Sequence, residues 1–235
     1  SARTGGDGRP RFHAGVDIAP QQRDRRGRPL DAVRAIVDGR VAYVNRVGGD
    51  SSYGIYVVLL HDDPVGTVYS LYAHLASVPS ELRPGVVVQA GAPVGVMGNS
   101  ANTGIPVVRA HLHLEIGVML SDRFGVWTRA KKLKPDRGNY HGWNLFAVDP
   151  LDVFAKQRAT GHFSMAKYLS SAPPAFELLL QPKRFPGYFR RHRLLWQGAE
   201  EPAGPMVLRV SEGGVILHCR PADERETATF NAVGK

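Results

Sequence analysis

The sequence predicts a mainly β protein, with an antiparallel sheet or sandwich followed by a small, partly β C-terminal extension. Between about Ala32 and Glu115, short runs rich in β-branched residues alternate with glycine and proline turns, which is the pattern of an antiparallel sheet. Few helical periodicities separate these runs, so parallel crossover units are disfavoured. The predicted strands are Ala35–Val44, Ile55–His61, Val68–His74, Gly85–Val88, Val94–Gly98 and His111–Ile116.

The organisation of the chain predicts one larger domain over residues 1–154 and an extension over residues 155–235. Within the larger domain, residues 117–148 are basic and irregular and predict a long loop insertion, a feature that is usually functional or disordered. The extension ends with two strand-like runs, Met206–Val210 and Val215–Arg220, which predict a hairpin. The sequence does not indicate what the extension does.

The composition is that of a soluble globular domain, with 43% apolar and 22% charged residues. A net charge of +9 favours an anionic partner such as nucleic acid, a lipid surface or a carboxylate-rich wall polymer. Nucleic acid is disfavoured because the basic residues are scattered and form no recognition motif. No apolar run is long enough to span a membrane, and no signal-like segment follows Ser1, so the chain is either cytosolic or a mature form. The oligomeric state is not indicated.

Two groups of side chains could ligate a metal, and Cys219, the only cysteine, cannot form a thiolate cluster alone. His111 and His113 are two residues apart in a predicted strand, so their side chains share one face. Far upstream, His13 and Asp17 are separated by a segment in which a glycine allows a tight bend. A catalytic zinc uses three protein ligands and one open position. His13, Asp17 and one histidine of the pair supply three, and the spacing leaves open which of the pair it is.

A third histidine, His74, ends another predicted strand and could reach the same cleft. Unligated histidines there would move protons and stabilise an oxyanion in zinc-assisted hydrolysis. Strand alternation predicts that Tyr72 shares the face of His74, where it either forms a hydrogen bond in the cleft or is partly buried packing. Glu115 shares the face of His113 and is either a partner that orients a ligand or a solvent-facing residue. The other histidines are interpreted as surface or hydrogen-bonded residues: His61, His141, His162, His192 and His218.

In this order the motifs resemble the lysostaphin-type, or LytM-type, zinc metallopeptidases, which cleave peptide bonds in bacterial peptidoglycan. The resemblance extends from about Phe12 to Phe154. Its motifs are Phe12-His13-Ala14-Gly15-Val16-Asp17-Ile18-Ala19, Asp38-Gly39-Arg40-Val41, Tyr53-Gly54-Ile55-Tyr56-Val57-Val58-Leu59, Leu71-Tyr72-Ala73-His74-Leu75, the glycine turns of residues 84–100, His111-Leu112-His113-Leu114-Glu115 and Val148-Asp149-Pro150-Leu151.

The resemblance implies a role for each matching residue. His13, Asp17 and His113 would bind one catalytic Zn²⁺, and His74 and His111 would be unligated catalytic histidines. It also implies the duplicated hybrid motif fold with a groove for an extended peptide, endopeptidase activity on peptidoglycan peptides, and action outside the cytoplasm. Stable membrane insertion of this chain and a nucleic-acid partner are not expected.

The chain departs from the family pattern at two places. The family has a short Thr-Gly turn just before its His-x-His motif, whereas here six residues separate Gly104 from His111. The basic segment 117–148 is also longer than the usual link. A non-catalytic relative, acting as a binding or activator module for another wall hydrolase, is the alternative hypothesis. A lipoyl-type or biotinyl-type carrier is excluded because no lysine lies between Ser1 and Ala130.

Overall fold

A computed structural model of the chain describes residues 2–4, 10–199, 201 and 204–233. The chain divides into two compact units. The first contains Ser1–Asp62 and Val68–Phe154, and the second contains Asp63–Thr67 and Ala155–Lys235. The predicted outer domain limits, Ser1 and Lys235, lie outside the described residues.

Strands outnumber helices along the chain, which confirms the predicted mainly β class. The strands are β1 (Ala2–Thr4), β2 (Pro10–Phe12), β3 (Val16–Ile18), β4 (Ala32–Arg34), β5 (Gly39–Asn45), β6 (Ile55–Asp63), β7 (Gly66–Ser77), β8 (Val87–Val88), β9 (Pro93–Met97), β10 (Leu112–Met119), β11 (Leu145–Val148), β12 (Phe176–Leu180), β13 (Met206–Val210) and β14 (Ile216–Pro221). The α-helices are α1 (Phe124–Ala130), α2 (Pro150–Thr160), α3 (Met165–Ser171), α4 (Gly187–Arg191) and α5 (Glu224–Val233). Of these helices, none in the described part of the chain is long and apolar enough to cross a membrane.

The main sheet is the scaffold of the first unit. Its strands follow the order β11-β10-β7-β6-β5-β8, with β3 paired to β10 and with β9 paired to both β4 and β7. The pairing of β10 with β3, β7 and β11 is antiparallel in each case. Strand β10 therefore pairs with residues that are 26 to 98 positions away from it in sequence.

Strand alternation gives the sheet two apolar faces. On one face, Tyr72 and Leu75 of β7 and Leu114 of β10 join a large core. On the other face, Tyr69 and Leu71 of β7 join a second cluster that also contains Tyr56, Val58, Ala73 and Leu145. These β7 side chains are fully buried. Burial of one large apolar side chain stabilises the folded state by about 1.5–3 kcal/mol. A sheet buried on both faces is a rigid base for a site.

Residues 117–148 are more ordered than the predicted long loop. Strand β10 continues to Met119, helix α1 follows, and β11 returns antiparallel to β10. The segment covers the tyrosine-rich face, where the ring of Tyr140 stacks on Tyr43 with centroids 5.8 Å apart. The side chain of buried Asn144 stabilises the segment by donating hydrogen bonds to the carbonyls of Ser121 and Asn139. This order could not be predicted from the sequence, because the segment is held by tertiary contacts and lacks an apolar periodicity of its own.

The second unit contains a three-stranded antiparallel sheet, β12-β13-β14. The predicted hairpin is confirmed as β13 and β14, with a register shift after Arg209. The Asp63 carboxylate accepts from the backbone amides of Met165 and Ala166 at the start of α3, an ordinary way to satisfy a helix N-terminus. Cys219 is fully buried in this unit.

Candidate metal centre

The site is built where β3 meets β10. In the antiparallel register, Asp17 lies opposite His113 and Val16 lies opposite Leu114. The same stretch of β10 pairs on its other side with β7, so that His113 lies opposite Ala73. The two motifs, which are about 100 residues apart in sequence, are thus brought together by backbone hydrogen bonds.

Gly15 allows β3 to approach β10 closely. A Cβ atom at this position would overlap the carbonyl oxygen of Leu114 and would lie 3.0 Å from Cε1 of His113. The sequence suggested that Gly15 permits a bend. The structure adds that a side chain here would push β3 away from His113.

Three predicted ligand atoms converge on one point. His13 Nε2 lies 3.0 Å from Asp17 Oδ1, His113 Nδ1 lies 3.1 Å from the same oxygen, and the two ring nitrogens are 3.1 Å apart. His13 and Asp17 are partly exposed, whereas His113 is buried. This is the group of histidine and carboxylate side chains that could hold a metal ion.

The donor set fits Zn²⁺. Imidazole nitrogen and carboxylate oxygen are common zinc ligands, and bond lengths of about 2.0–2.1 Å in a tetrahedral site separate neighbouring ligand atoms by about 3.3 Å. The observed separations of 3.0–3.1 Å are close to that value. Two ring nitrogens facing each other at this distance also need a shared proton or a cation between them.

Glu115 fixes the orientation of the His113 ring. Its carboxylate is completely buried and accepts from His113 Nε2 at 2.9 Å, from the Tyr53 hydroxyl at 2.7 Å and from the Tyr69 hydroxyl at 3.0 Å. Of the two alternatives for Glu115, the solvent-facing one is therefore wrong. Because Nε2 donates to Glu115, Nδ1 is the nitrogen directed to His13 and Asp17.

The phenols around Glu115 remain donors. Burial, reinforced by the Glu115 carboxylate, raises the pKa of both Tyr53 and Tyr69 well above the ordinary value. For His113 in the metal-free protein, burial disfavours the charged ring. The hydrogen bonds that the ring donates to the Asp17 and Glu115 carboxylates outweigh that effect and raise the pKa of His113 to about 9. Metal binding must therefore displace a proton from Nδ1.

His74 and His111 lie beside the three predicted ligands. Their ring centroids are 4.8 Å apart, and that of His74 is 5.9 Å from that of His113. His74 Nδ1 bonds to the carbonyl of Ser100 at 2.9 Å, and His111 Nδ1 bonds to the carbonyl of Arg109 at 2.7 Å. Since a carbonyl can only accept, both rings carry a proton on Nδ1. His111 Nε2 lies 3.3 Å from Asp17 Oδ2.

The backbone of His74 departs from regular strand geometry, with φ at +60°. This conformation reverses the strand alternation, so that Leu75 joins the core that contains Tyr72, while His74 turns toward His111 and His113. The prediction that Tyr72 shares the face of His74 is wrong for this reason. The Tyr72 hydroxyl accepts instead from the Ile36 amide and from Ser70 inside the core. Burial lowers the pKa of His74 to about 4, so its ring is neutral at pH 7.

The five predicted residues line one cleft of about 350 Å³. Tyr53 and Ser52 also line it, and the segment that precedes His111 contributes a wall. The wall residues are Thr103, Gly104, Ile105, Pro106 and Arg109. Sequence reasoning missed Tyr53 and Arg109, because a tyrosine and an arginine become part of a site only through long-range contacts.

The remaining histidines do not join this cleft. His61 is buried and bonds to the carbonyl of Asp38 and to the Ser70 hydroxyl. His192 is buried in the second unit and bonds to the carbonyl of Val65 at 3.0 Å. Both agree with the interpretation of these histidines as hydrogen-bonded residues.

A comparison with known protein families finds the same family that the sequence motifs resemble. Residues 11–123 match the sequence profile of peptidase family M23. Among curated proteins no match was found.

Several solved structures are similar to part of the chain. They include a putative glycyl-glycine endopeptidase LytM from Ruminococcus gnavus, with 25% identity over 59% of this chain and 44% of that chain and a TM-score of 0.35. Csd3 from Helicobacter pylori has 25% identity over 47% of this chain and 24% of that chain, with a TM-score of 0.33. The catalytic domain of lysostaphin from Staphylococcus simulans has 24% identity over 37% of this chain and 58% of that chain, with a TM-score of 0.30.

The similar region covers less than two thirds of each of these three chains. The motifs, their order and the matched profile together confirm the resemblance noted in the sequence. Residues 11–123 of the chain are similar to peptidase family M23.

Proposed function

We propose that this protein is a zinc-dependent endopeptidase that hydrolyses peptide bonds in bacterial peptidoglycan, outside the cytoplasm. The observation that carries the proposal is the convergence of His13 Nε2, Asp17 Oδ1 and His113 Nδ1 at 3.0–3.1 Å from one another. Three protein donors with space on the cleft side match a catalytic zinc site, in which one position stays open.

In this proposal His13, Asp17 and His113 hold one Zn²⁺. When bound, the zinc would lower the pKa of a coordinated water and polarise the carbonyl of the scissile bond. Glu115 is a positioning residue, because its bond to His113 Nε2 keeps Nδ1 directed at the metal position.

His74 and His111 are the proposed catalytic histidines. Both rings are oriented by a carbonyl at Nδ1. His74 presents Nε2 as a proton acceptor, whereas His111 Nε2 faces Asp17 Oδ2 at 3.3 Å and would act as a donor. His74 is neutral at pH 7, because burial lowers its pKa to about 4, and so it can accept a proton from the attacking water. Together the two rings would transfer protons to the leaving amine and donate to the developing oxyanion.

The charge of the chain supports a substrate in the cell wall. The net charge of +9 favours association with an anionic polymer, and the cleft is lined by polar and charged groups suited to a peptide.

The direct test is release of soluble fragments from purified peptidoglycan by wild type, His74→Asn and His162→Asn. Asparagine tolerates the positive φ that His74 adopts, so the variant loses the imidazole without straining the backbone. Wild type and the His162→Asn control, whose exposed histidine does not line the cleft, are expected to release fragments. His74→Asn is expected to release at least 100-fold fewer, since general acid–base groups contribute about 10²–10⁴-fold.

Equal release by wild type and His74→Asn would contradict the catalytic assignment. If wild type binds zinc but releases nothing from any wall preparation, the non-catalytic binding or activator function replaces the peptidase.

A further inference from the structure

Arg109 places a positive charge in the wall of the cleft. It lies in the segment that precedes His111, and its carbonyl is the group that orients the His111 ring, at 2.7 Å. Its guanidinium is exposed, and among the described residues it makes no ion pair.

The backbone around Arg109 is held firmly. The Arg23 guanidinium donates to the carbonyls of Val107, Val108 and Ala110, at 2.9, 3.3 and 3.4 Å. The Arg109 amide donates to the carbonyl of Pro106 at 2.8 Å. The position from which the Arg109 side chain extends is therefore fixed relative to His111.

Within the part of the chain that the structure describes, the cleft offers Arg109 no internal partner. The carboxylate among its lining residues is Asp17, and the Asp17 oxygens are already within 3.3 Å of His13, His111 and His113. An arginine left with free donors in a cleft is suited to a planar anion, because its fork of N–H groups matches a carboxylate.

We infer that Arg109 forms a carboxylate-binding subsite that recognises an anionic residue of the peptide being cleaved. This inference rests on the proposed peptidase function, and it adds a substrate class to it: peptides with a free carboxylate near the scissile bond. Peptides in which that carboxylate is amidated lose the paired hydrogen bonds and are bound and cleaved less well.

The test uses pairs of synthetic stem peptides that differ in a single group, a free carboxylate in one and a carboxamide in the other, with each carboxylate changed in turn. The ratio of kcat/KM for the two members is measured for wild type, Arg109→Gln, Arg109→Lys and Arg83→Gln. Arg83 is the matched control, because it is an exposed arginine of the same unit that does not line the cleft, and its loss changes the net charge equally.

For one pair, wild type and Arg83→Gln are expected to prefer the free carboxylate by roughly 10- to 100-fold, the effect of one charge-assisted pair. In Arg109→Gln that ratio falls to about one, and Arg109→Lys retains part of it because a lysine keeps the charge but not the fork. A wild-type ratio near one for every pair, or an unchanged ratio in Arg109→Gln, overturns the inference.

Binding separates this inference from the peptidase itself. Titration calorimetry with the same peptides on His74→Asn, with and without Arg109→Gln, measures recognition without turnover. If wild type cleaves no peptide but the calorimetric preference exists and disappears with Arg109→Gln, the subsite stands and the peptidase proposal fails. If wild type cleaves the peptides without any preference for the free carboxylate, the peptidase proposal stands and the subsite fails.

Discussion

Glu115 is the buried residue on which the orientation of His113 depends. It accepts three hydrogen bonds, from one imidazole and two phenols, and it is completely shielded from water. A buried carboxylate with three donors is well stabilised, and a ligand oriented by such a partner binds its metal more tightly.

Glu115→Gln is therefore expected to weaken zinc binding by about 10- to 100-fold, as loss of such outer partners commonly does. The amide of glutamine would direct one N–H₂ group at groups that are themselves donors. Tyr53→Phe, which leaves the carboxylate bonded to His113, should change the affinity less. Competition with a chromogenic chelator measures both, and equal affinities in wild type and Glu115→Gln would contradict the role given to Glu115.

The protonation of His74 makes the stability of the protein depend on pH. Its pKa in the folded protein is lowered to about 4 by burial, whereas an unfolded histidine titrates near 6.5. Between these two pKa values the unfolded chain therefore binds more protons than the folded protein. The contribution of neutral His74 to the free energy of unfolding is fully present above pH 6.5 and is lost as the pH falls toward 4.

In metal-free protein, the free energy of unfolding should fall between pH 6.5 and 4.5 by roughly 2 kcal/mol more in wild type than in His74→Asn. Urea denaturation at several pH values in this range measures the difference. Parallel pH profiles for the two proteins would show that His74 is not shielded as the structure places it.

The five predicted site residues could be found from the sequence because each sits in a short motif. His13 and Asp17 are four residues apart, and His111 and His113 are two apart. The role of Glu115 could not be decided, since its partner Tyr53 is 62 residues away. The face of His74 was predicted wrongly, because alternation assumes a regular strand and His74 has a positive φ.

At the scale of elements, the pairing of β3 with β10 assembles the site. This contact depends on Gly15, where a Cβ would overlap the Leu114 carbonyl and approach the His113 ring. Gly15→Ala is expected to destabilise the protein by about 1–3 kcal/mol, as overpacking usually does, and to weaken zinc binding. Gly49→Ala is the matched control, because a Cβ there meets nothing within 4 Å.

Thermal unfolding and chelator competition on both glycine variants check this prediction. If Gly15→Ala matches Gly49→Ala in both stability and zinc affinity, the close approach of the two strands is not needed for the site.

Most strands of the main sheet follow from alternation and turn residues, and β6, β7 and β10 lie near their predicted positions. The ordered structure of residues 117–148 could not be predicted from alternation or turn residues. Its helix α1 has only seven residues, with Val126 and Trp127 exposed, so it shows no apolar face from which a helix could be predicted. The contacts of Tyr140 and Asn144 that hold the segment are non-local.

At the scale of the whole molecule, the chain combines a unit that contains the segment similar to peptidase family M23 with a second compact unit. Backbone pairing joins distant motifs of the first unit into one group that could hold a metal ion. All the proposed chemistry depends on that group, because a catalytic zinc uses three protein ligands.

The central claim is tested most directly by the zinc content of the purified protein, determined by elemental analysis for wild type, His113→Ala and His74→Asn. About one zinc per chain is expected in wild type and in His74→Asn, and a loss of nearly all zinc is expected in His113→Ala, since one of three protein ligands is removed. Wild type that binds no zinc even after incubation with it, or His113→Ala that keeps a full equivalent, would contradict the assignment of His13, Asp17 and His113 as the metal centre.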